Sequence, residues 1–167
     1  MIRNETIVAL TEKQKVLDER IMTEFDLDPN DQAMHRKKMV AFFVELGEFI
    51  NEERSFKYWS RKKTNDRHKV IEEYIDGLHF ILSIGLHINY DFEGHKEFVV
   101  EGDLYESYIH LFEALGIFVK TESVWDFRKV FSLFLRISDI LEISEDEIVT
   151  VYNEKNAINH QRQDNSY

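Results

Sequence analysis

The sequence contains no cysteine. That excludes disulfides, thiolate zinc sites and cysteine nucleophiles, and it fits a reducing compartment such as the cytoplasm. Pro29 is the single proline, and only six of the 167 residues are glycine, so few positions interrupt a helix. No uncharged stretch approaches the ~18 residues a membrane span needs. The first residues, MIRNETIVALTEKQK, lack an apolar core of signal-peptide length. The expectation is a soluble, cytoplasmic protein with no membrane partner. Positive charge is scarce: 21 Lys and Arg stand against 32 Asp and Glu, for a net charge of −11. Such a balance repels nucleic-acid backbones, which argues against nucleic acid as a partner, and suits hard cations together with the anions they carry. With 43% hydrophobic residues the chain is long enough to bury one core, and a single domain over 1–167 is expected.

Helical periodicity dominates what is present and predicts an all-α helical bundle. A first helix is expected over about Glu5 to Phe25, a second from near Asp31 to about Arg54, and a third over about Arg67 to His87. Asp103 can cap a fourth helix running to Lys120. Ser123-Val-Trp-Asp126 has the capping-box form for a fifth reaching Glu142, and Ser144-Glu-Asp-Glu147 repeats it ahead of a last helix that carries Tyr152 to about Arg162. The linker from Ser55 to Asp66 is basic and aromatic in an acidic protein. It reads either as an anion-facing loop or as a solvated connection.

Four carboxylates stand out against this background. Glu45 and Glu48 interrupt the apolar run from Met39 to Ile50, and Glu73 and Asp76 interrupt the run from Val70 to Ile88. Each pair is spaced i, i+3, which stacks the two side chains on one helix face. The same spacing at Asp28/Asp31, Asp103/Glu106, Asp139/Glu142 and Glu142/Glu145 flanks helix ends, where solvated acids are ordinary. In apolar surroundings, uncompensated carboxylates cost several kcal/mol each or take up protons. Two such helices facing each other inside a bundle would offer enough oxygen donors for two or more magnesium ions, whose remaining coordination positions take water and phosphate. A di-iron site would want two Glu-x-x-His motifs; the chain offers only Asp76-Gly-Leu-His79.

In the C-terminal helix, Lys155, Asn159 and Arg162 fall on one face, a cation, an amide and a forked cation suited to polyphosphate. An ordinary polar helix whose last-turn cations favour its dipole would look the same. His79 and Phe80 lie one turn beyond Asp76, beside the acidic face.

Together these segments resemble the dimeric, all-α deoxyuridine triphosphatases of the all-α nucleoside-triphosphate pyrophosphohydrolase superfamily. The superfamily pattern Glu-x-x-Glu, spacer, Glu-x-x-Asp reads here Glu45-Leu-Gly-Glu48 and Glu73-Tyr-Ile-Asp76. The narrower resemblance rests on Gln14-Lys-Val-Leu-Asp18, Phe56-Lys-Tyr-Trp59, the run from Asp76 to Ser83, and the run from Tyr152 to Gln163. It implies a homodimer with the active site between core helices, hydrolysing dUTP, and dUDP as well, to dUMP; this limits uracil in DNA and supplies dUMP. It implies that Glu45, Glu48, Glu73 and Asp76 bind magnesium and that Glu48, or else Glu45, orients or deprotonates the attacking water. Lys57, Lys155, Asn159 and Arg162 would hold phosphate. Gln14, Trp59, His79 and Phe80 would contact base and sugar, with Gln14 offering donor and acceptor to the imide edge. One departure concerns Asp18, which stands where relatives can have asparagine and, as an acceptor-only carboxylate, cannot donate to a uracil carbonyl. Relatives that cleave dCTP or assorted nucleotides share the acidic pattern, and a non-catalytic interaction protein could retain the bundle.

Overall fold

A computed structural model describes residues 2–28, 31–62, 66–99 and 101–164. Among the described residues there are six helices and no strand: α1 (Asn4–Glu24), α2 (Gln32–Glu53), α3 (Arg67–His87), α4 (Leu104–Thr121), α5 (Val124–Ile140) and α6 (Glu145–Asp164). The ends expected from sequence lie within one or two residues of these, and α6 begins at the residue after its expected cap, Ser144. Parts of the expected turn after α1 and of the basic linker, residues 29–30 and 63–65, lie outside the described residues.

The starts of the helices follow from local chemistry. Asp31 and Asp66 accept from the backbone N–H groups of Ala33 and His68, satisfying donors that the first turn leaves open. Asp103 and Glu106 form a complete capping box, and so do Ser144 and Glu147, with bonds of 2.8 and 3.2 Å. At α5 the box is half made. Ser123 accepts from the Asp126 amide at 3.1 Å, while the Asp126 carboxylate takes the hydroxyls of Ser123 and Thr121 and not the Ser123 amide. The α2 and α4 ends turn through left-handed Arg54 (φ 71°) and Glu122 (φ 49°).

Helix α3 lies at the centre. It packs along α2 and also against α1 and α6, while α4 and α5 pair with each other. Its buried residues occur all around its circumference, from Val70 and Ile71 to Ile84 and Gly85, which is why its apolar run is nearly continuous. Aromatic rings bridge it to its neighbours. Tyr74 stacks on Phe134 at 4.5 Å and meets Phe49 edge-on at 5.5 Å. The glycines of α3 let two such rings approach: a Cβ on Gly85 would collide with Phe92 and come within 2.8 Å of Phe127. At the far end of α2 the buried carboxylate of Glu53 accepts from the Ser55 hydroxyl (2.6 Å) and amide (3.1 Å), tying down the start of the linker.

Gly85→Ala should therefore destabilise the protein by about 1–3 kcal/mol through overpacking. Gly116→Ala, where a Cβ meets nothing within 4 Å, should be neutral or mildly stabilising because alanine favours the helix. Urea unfolding of the two variants checks the contrast.

Candidate active site

Three of the four carboxylates converge where α2 faces α3. One oxygen each from Glu45, Glu73 and Asp76 lie within 4.8 Å of one another, and all three residues are half-buried. Glu48, expected to point inward with them, is exposed and stands outside the trio. The helical period explains the split. Leu46 and Phe49 take the buried face of α2, Glu45 keeps the flank toward α3, and a step of three residues, about 300°, turns Glu48 back toward solvent.

Like charge held this close must be relieved. Burial first, and then the negative charges of Asp76, Glu48 and Glu73, push the Glu45 carboxyl up to about 7. Burial also raises Asp76, against the opposing effect of Lys155. Two ammonium groups share the compensation. Lys155 reaches Asp76 from α6 at 2.6 Å, and Lys69 reaches Glu73 one turn along α3, also at 2.6 Å. Lys155 therefore has an anionic partner within the protein, Asp76, in addition to the phosphate that the resemblance implies. The donor set, all carboxylate oxygens in a partly solvated cleft, suits a hard divalent cation, which would replace the lysines as counter-charge.

A cleft of about 480 Å³ opens from Glu45 and Asp76 toward α1 and the end of α6. Lys155, Asn159 and Arg162 line it on one side, as their helical spacing suggested, and Gln14, His79 and Phe80 line it on another. A larger, more open depression of about 770 Å³ adjoins it across Asp18 and Lys38 but contains none of the trio; the narrower cleft is the one with chemistry. Lys57 and Trp59 do not line the cleft within this chain. Lys57 donates to the carbonyl and side chain of Asn51 at 3.1 and 2.6 Å, and Trp59 is 65% exposed, edge-on to Phe56 and Tyr58. The linker leaves α2 at Arg54, about 14 Å of helix beyond Glu45, and its anchoring to Glu53 holds it there.

The end of the cleft away from the acids is a closed set of hydrogen bonds. Gln14, only 4% exposed, donates from Nε2 to Asp18 Oδ1 at 2.7 Å. Its Oε1 lies 2.7 Å from His79 Nδ1 and 3.0 Å from the Tyr152 hydroxyl. The His79 ring stacks on Tyr152 at 4.2 Å. Burial, and then the charge of Lys155, lower its pKa to about 3, so it is neutral near pH 7. Asp18 Oδ2 accepts from Lys38 at 3.1 Å and from the Ser83 hydroxyl. The carbonyl oxygen of Gln14, expected to face a substrate's imide edge, is thus engaged inside the protein.

Lys38, Lys69, Ser83 and Tyr152 join the site without having been singled out from sequence. Lys38 had a signal in its spacing: it precedes Glu45 by seven residues, two turns along one helix face. Lys69 precedes Glu73 by four, the ordinary ion-pair spacing.

A family model described as dUTPase matches residues 6–167 of this chain. None of the curated proteins matches it.

A raised carboxylate stabilises the fold only while protonated. The contribution of Glu45 is complete below its ordinary value of 4.5 and is lost as pH rises through about 7. In the presence of a chelator, Glu45→Gln should be more stable than wild type at pH 8, by roughly 3 °C or more in Tm. The difference should shrink toward pH 5. Parallel profiles of Tm against pH for the two proteins would show that burial and the neighbouring acids do not raise the Glu45 carboxyl.

Proposed function

The chain belongs to the dUTPase family and is an enzyme of dUTP hydrolysis; from that premise we propose how its residues divide the work and which metal they use. Glu45, Glu73 and Asp76 hold magnesium, with Glu48 at their solvent edge. When bound, magnesium draws charge from the phosphate oxygens and makes a coordinated water more acidic. The observation that carries this reading is the convergence of three carboxylate oxygens within 4.8 Å at the end of a cleft whose other wall is cationic. Two or more ions suit that donor set and the net charge of −11.

Glu48 orients or deprotonates the attacking water. Its exposure and its place outside the trio support a role in handling water over one in tight ligation, and Glu45 is the alternative within the same pair. Lys155 and Arg162 neutralise phosphate oxygens as charge develops, and Asn159 positions the chain of phosphates between them. For Lys155 this requires exchanging Asp76 for a phosphate once the acids are otherwise compensated. Gln14, His79 and Phe80 bound the nucleoside end, Phe80 by packing against the deoxyribose. Lys57 and Trp59, which lie off the cleft, receive no role. dUDP is a second substrate on this reading, since cleavage at the same α,β linkage yields dUMP from both.

Residues 1–167 act as one domain, and the enzyme works as a cytoplasmic homodimer. Val40 and Val44 on α2 and Ile109, Phe112 and Ile117 on α4 are all more than 40% exposed, an apolar surface that a second copy could cover. No described helix is long and apolar enough to cross a membrane.

Turnover of dUTP, dUDP, dCTP, dTTP and UTP with magnesium, with product analysis, tests substrate and reaction together. dUTP and dUDP should both yield dUMP and be preferred over the others. Equal rates on dCTP and dUTP would assign the enzyme to broader specificity. Glu48→Gln should retain the fold and lower kcat by about 100-fold or more; near wild-type turnover would reject its role.

A further inference from the structure

We infer that Asp18 is a positioning residue for base and sugar recognition: its carboxylate fixes the orientation of the Gln14 amide, Gln14 fixes the tautomer of His79, and Nε2 of His79 is left as a bare hydrogen-bond acceptor. The inference rests on the reading that this cleft takes a deoxyuridine nucleotide, and it assigns the polarity with which the cleft reads it.

The chain of constraint begins with a group that can only accept. Asp18 is engaged by three donors, Gln14 Nε2 at 2.7 Å on one oxygen, and Lys38 at 3.1 Å with the Ser83 hydroxyl on the other. A carboxylate so placed demands the NH₂ of Gln14 and rejects its oxygen. The other contacts of Gln14 are compatible with either orientation. The Tyr152 hydroxyl lies 3.2 Å from the Leu10 carbonyl and can donate there while accepting from an amide, or donate to an amide oxygen instead. His79 Nδ1 can likewise be donor or acceptor. Asp18 alone breaks the tie.

With the Gln14 oxygen turned inward, His79 must carry its proton on Nδ1, 2.7 Å away. The ring is neutral, so it has no second proton, and Nε2 is an acceptor. That atom is buried without a hydrogen-bond partner, in a side chain 6% exposed that lines the cleft. A buried acceptor of this kind is completed by a donor from the ligand. A deoxyuridine nucleotide carries two such donors, the imide N–H of uracil and the 3′-hydroxyl. At N3 cytosine presents an acceptor, which would meet Nε2 lone pair to lone pair.

Lys38 sharpens the consequence of changing Asp18. In Asp18→Asn the side-chain oxygen stays with the Lys38 ammonium, so the new NH₂ faces Gln14. Gln14 must then turn its oxygen outward and its NH₂ toward His79, which moves the imidazole proton from Nδ1 to Nε2. One isosteric substitution inverts the donor and acceptor pattern of the whole set.

The test is ¹⁵N NMR of histidine-labelled protein without ligand, with the His79 signals assigned by their loss in His79→Gln. Wild type should show protonated Nδ1 and bare Nε2, and Asp18→Asn the reverse. In turnover assays wild type should disfavour dCTP, which lacks the imide N–H, or the 2′,3′-dideoxy analogue of dUTP, which lacks the hydroxyl. Asp18→Asn should narrow that preference by about tenfold or more, and the affected analogue identifies the donor. A wild-type His79 protonated on Nε2 overturns the inference without any variant. So does an Asp18→Asn protein with the wild-type ring signals. Failure of the functional reading looks different: dUTP is not turned over, while the free-protein tautomer stands as inferred.

Discussion

Repulsion among three carboxylates held within 4.8 Å organises the functional half of this molecule. Carboxylates prefer to be apart and in water, and here α2 and α3 hold them together in partial burial. The fold answers with cations from both sides, Lys69 from the same helix as Glu73 and Lys155 from α6. Neither lysine removes the strain on Glu45, whose carboxyl remains pushed up to about 7. The site is therefore built to receive more positive charge than the polypeptide supplies, which is the physical content of a metal-dependent reading.

The central position of α3 converts that constraint into a cleft. Its Glu73 and Asp76 face α2, and the next turn carries His79 and Phe80 into the wall of the cleft, with Ser83 reaching Asp18 a further turn along. One helix thus sets the distance between the acidic trio and the Gln14–His79 end of the cleft. Its own placement depends on close aromatic packing at Tyr74, Phe134 and Gly85, none of which lines the cleft. Mutations in that packing should disturb both ends of the cleft together, whereas changes at Asp18 should act at one.

Much of this was legible in the sequence, for identifiable reasons. Helix positions followed from strong periodicity and from cap residues such as Asp31, Asp66 and Asp103, whose chemistry is local. The pairing of Lys155, Asn159 and Arg162 on one cleft wall followed from helical spacing. What local pattern could not give was orientation across helices. Glu48 shares the apolar run of Glu45, yet it lies about 60° farther round α2 from the buried face, beyond the flank that α3 covers. Lys57 and Trp59 lie in a segment whose path is decided by the buried Glu53 and the left-handed turn at Arg54, neither of which announces a direction. The bonds of Lys38 and Ser83 to Asp18 join three helices, and no spacing within one helix announces them. The Gln14 amide, which the resemblance offers to an imide edge, is hydrogen-bonded to Asp18, His79 and Tyr152 in the ligand-free chain.

The central claim is that the acidic trio is an incomplete charge site that a divalent cation completes. The most direct measurement is the thermal stability of the wild-type protein and of Asp76→Asn across a magnesium titration at constant ionic strength. Magnesium binding to the folded state should raise the wild-type Tm progressively, with little or no rise in Asp76→Asn. A flat wild-type profile, or the same rise in both proteins, would contradict the account.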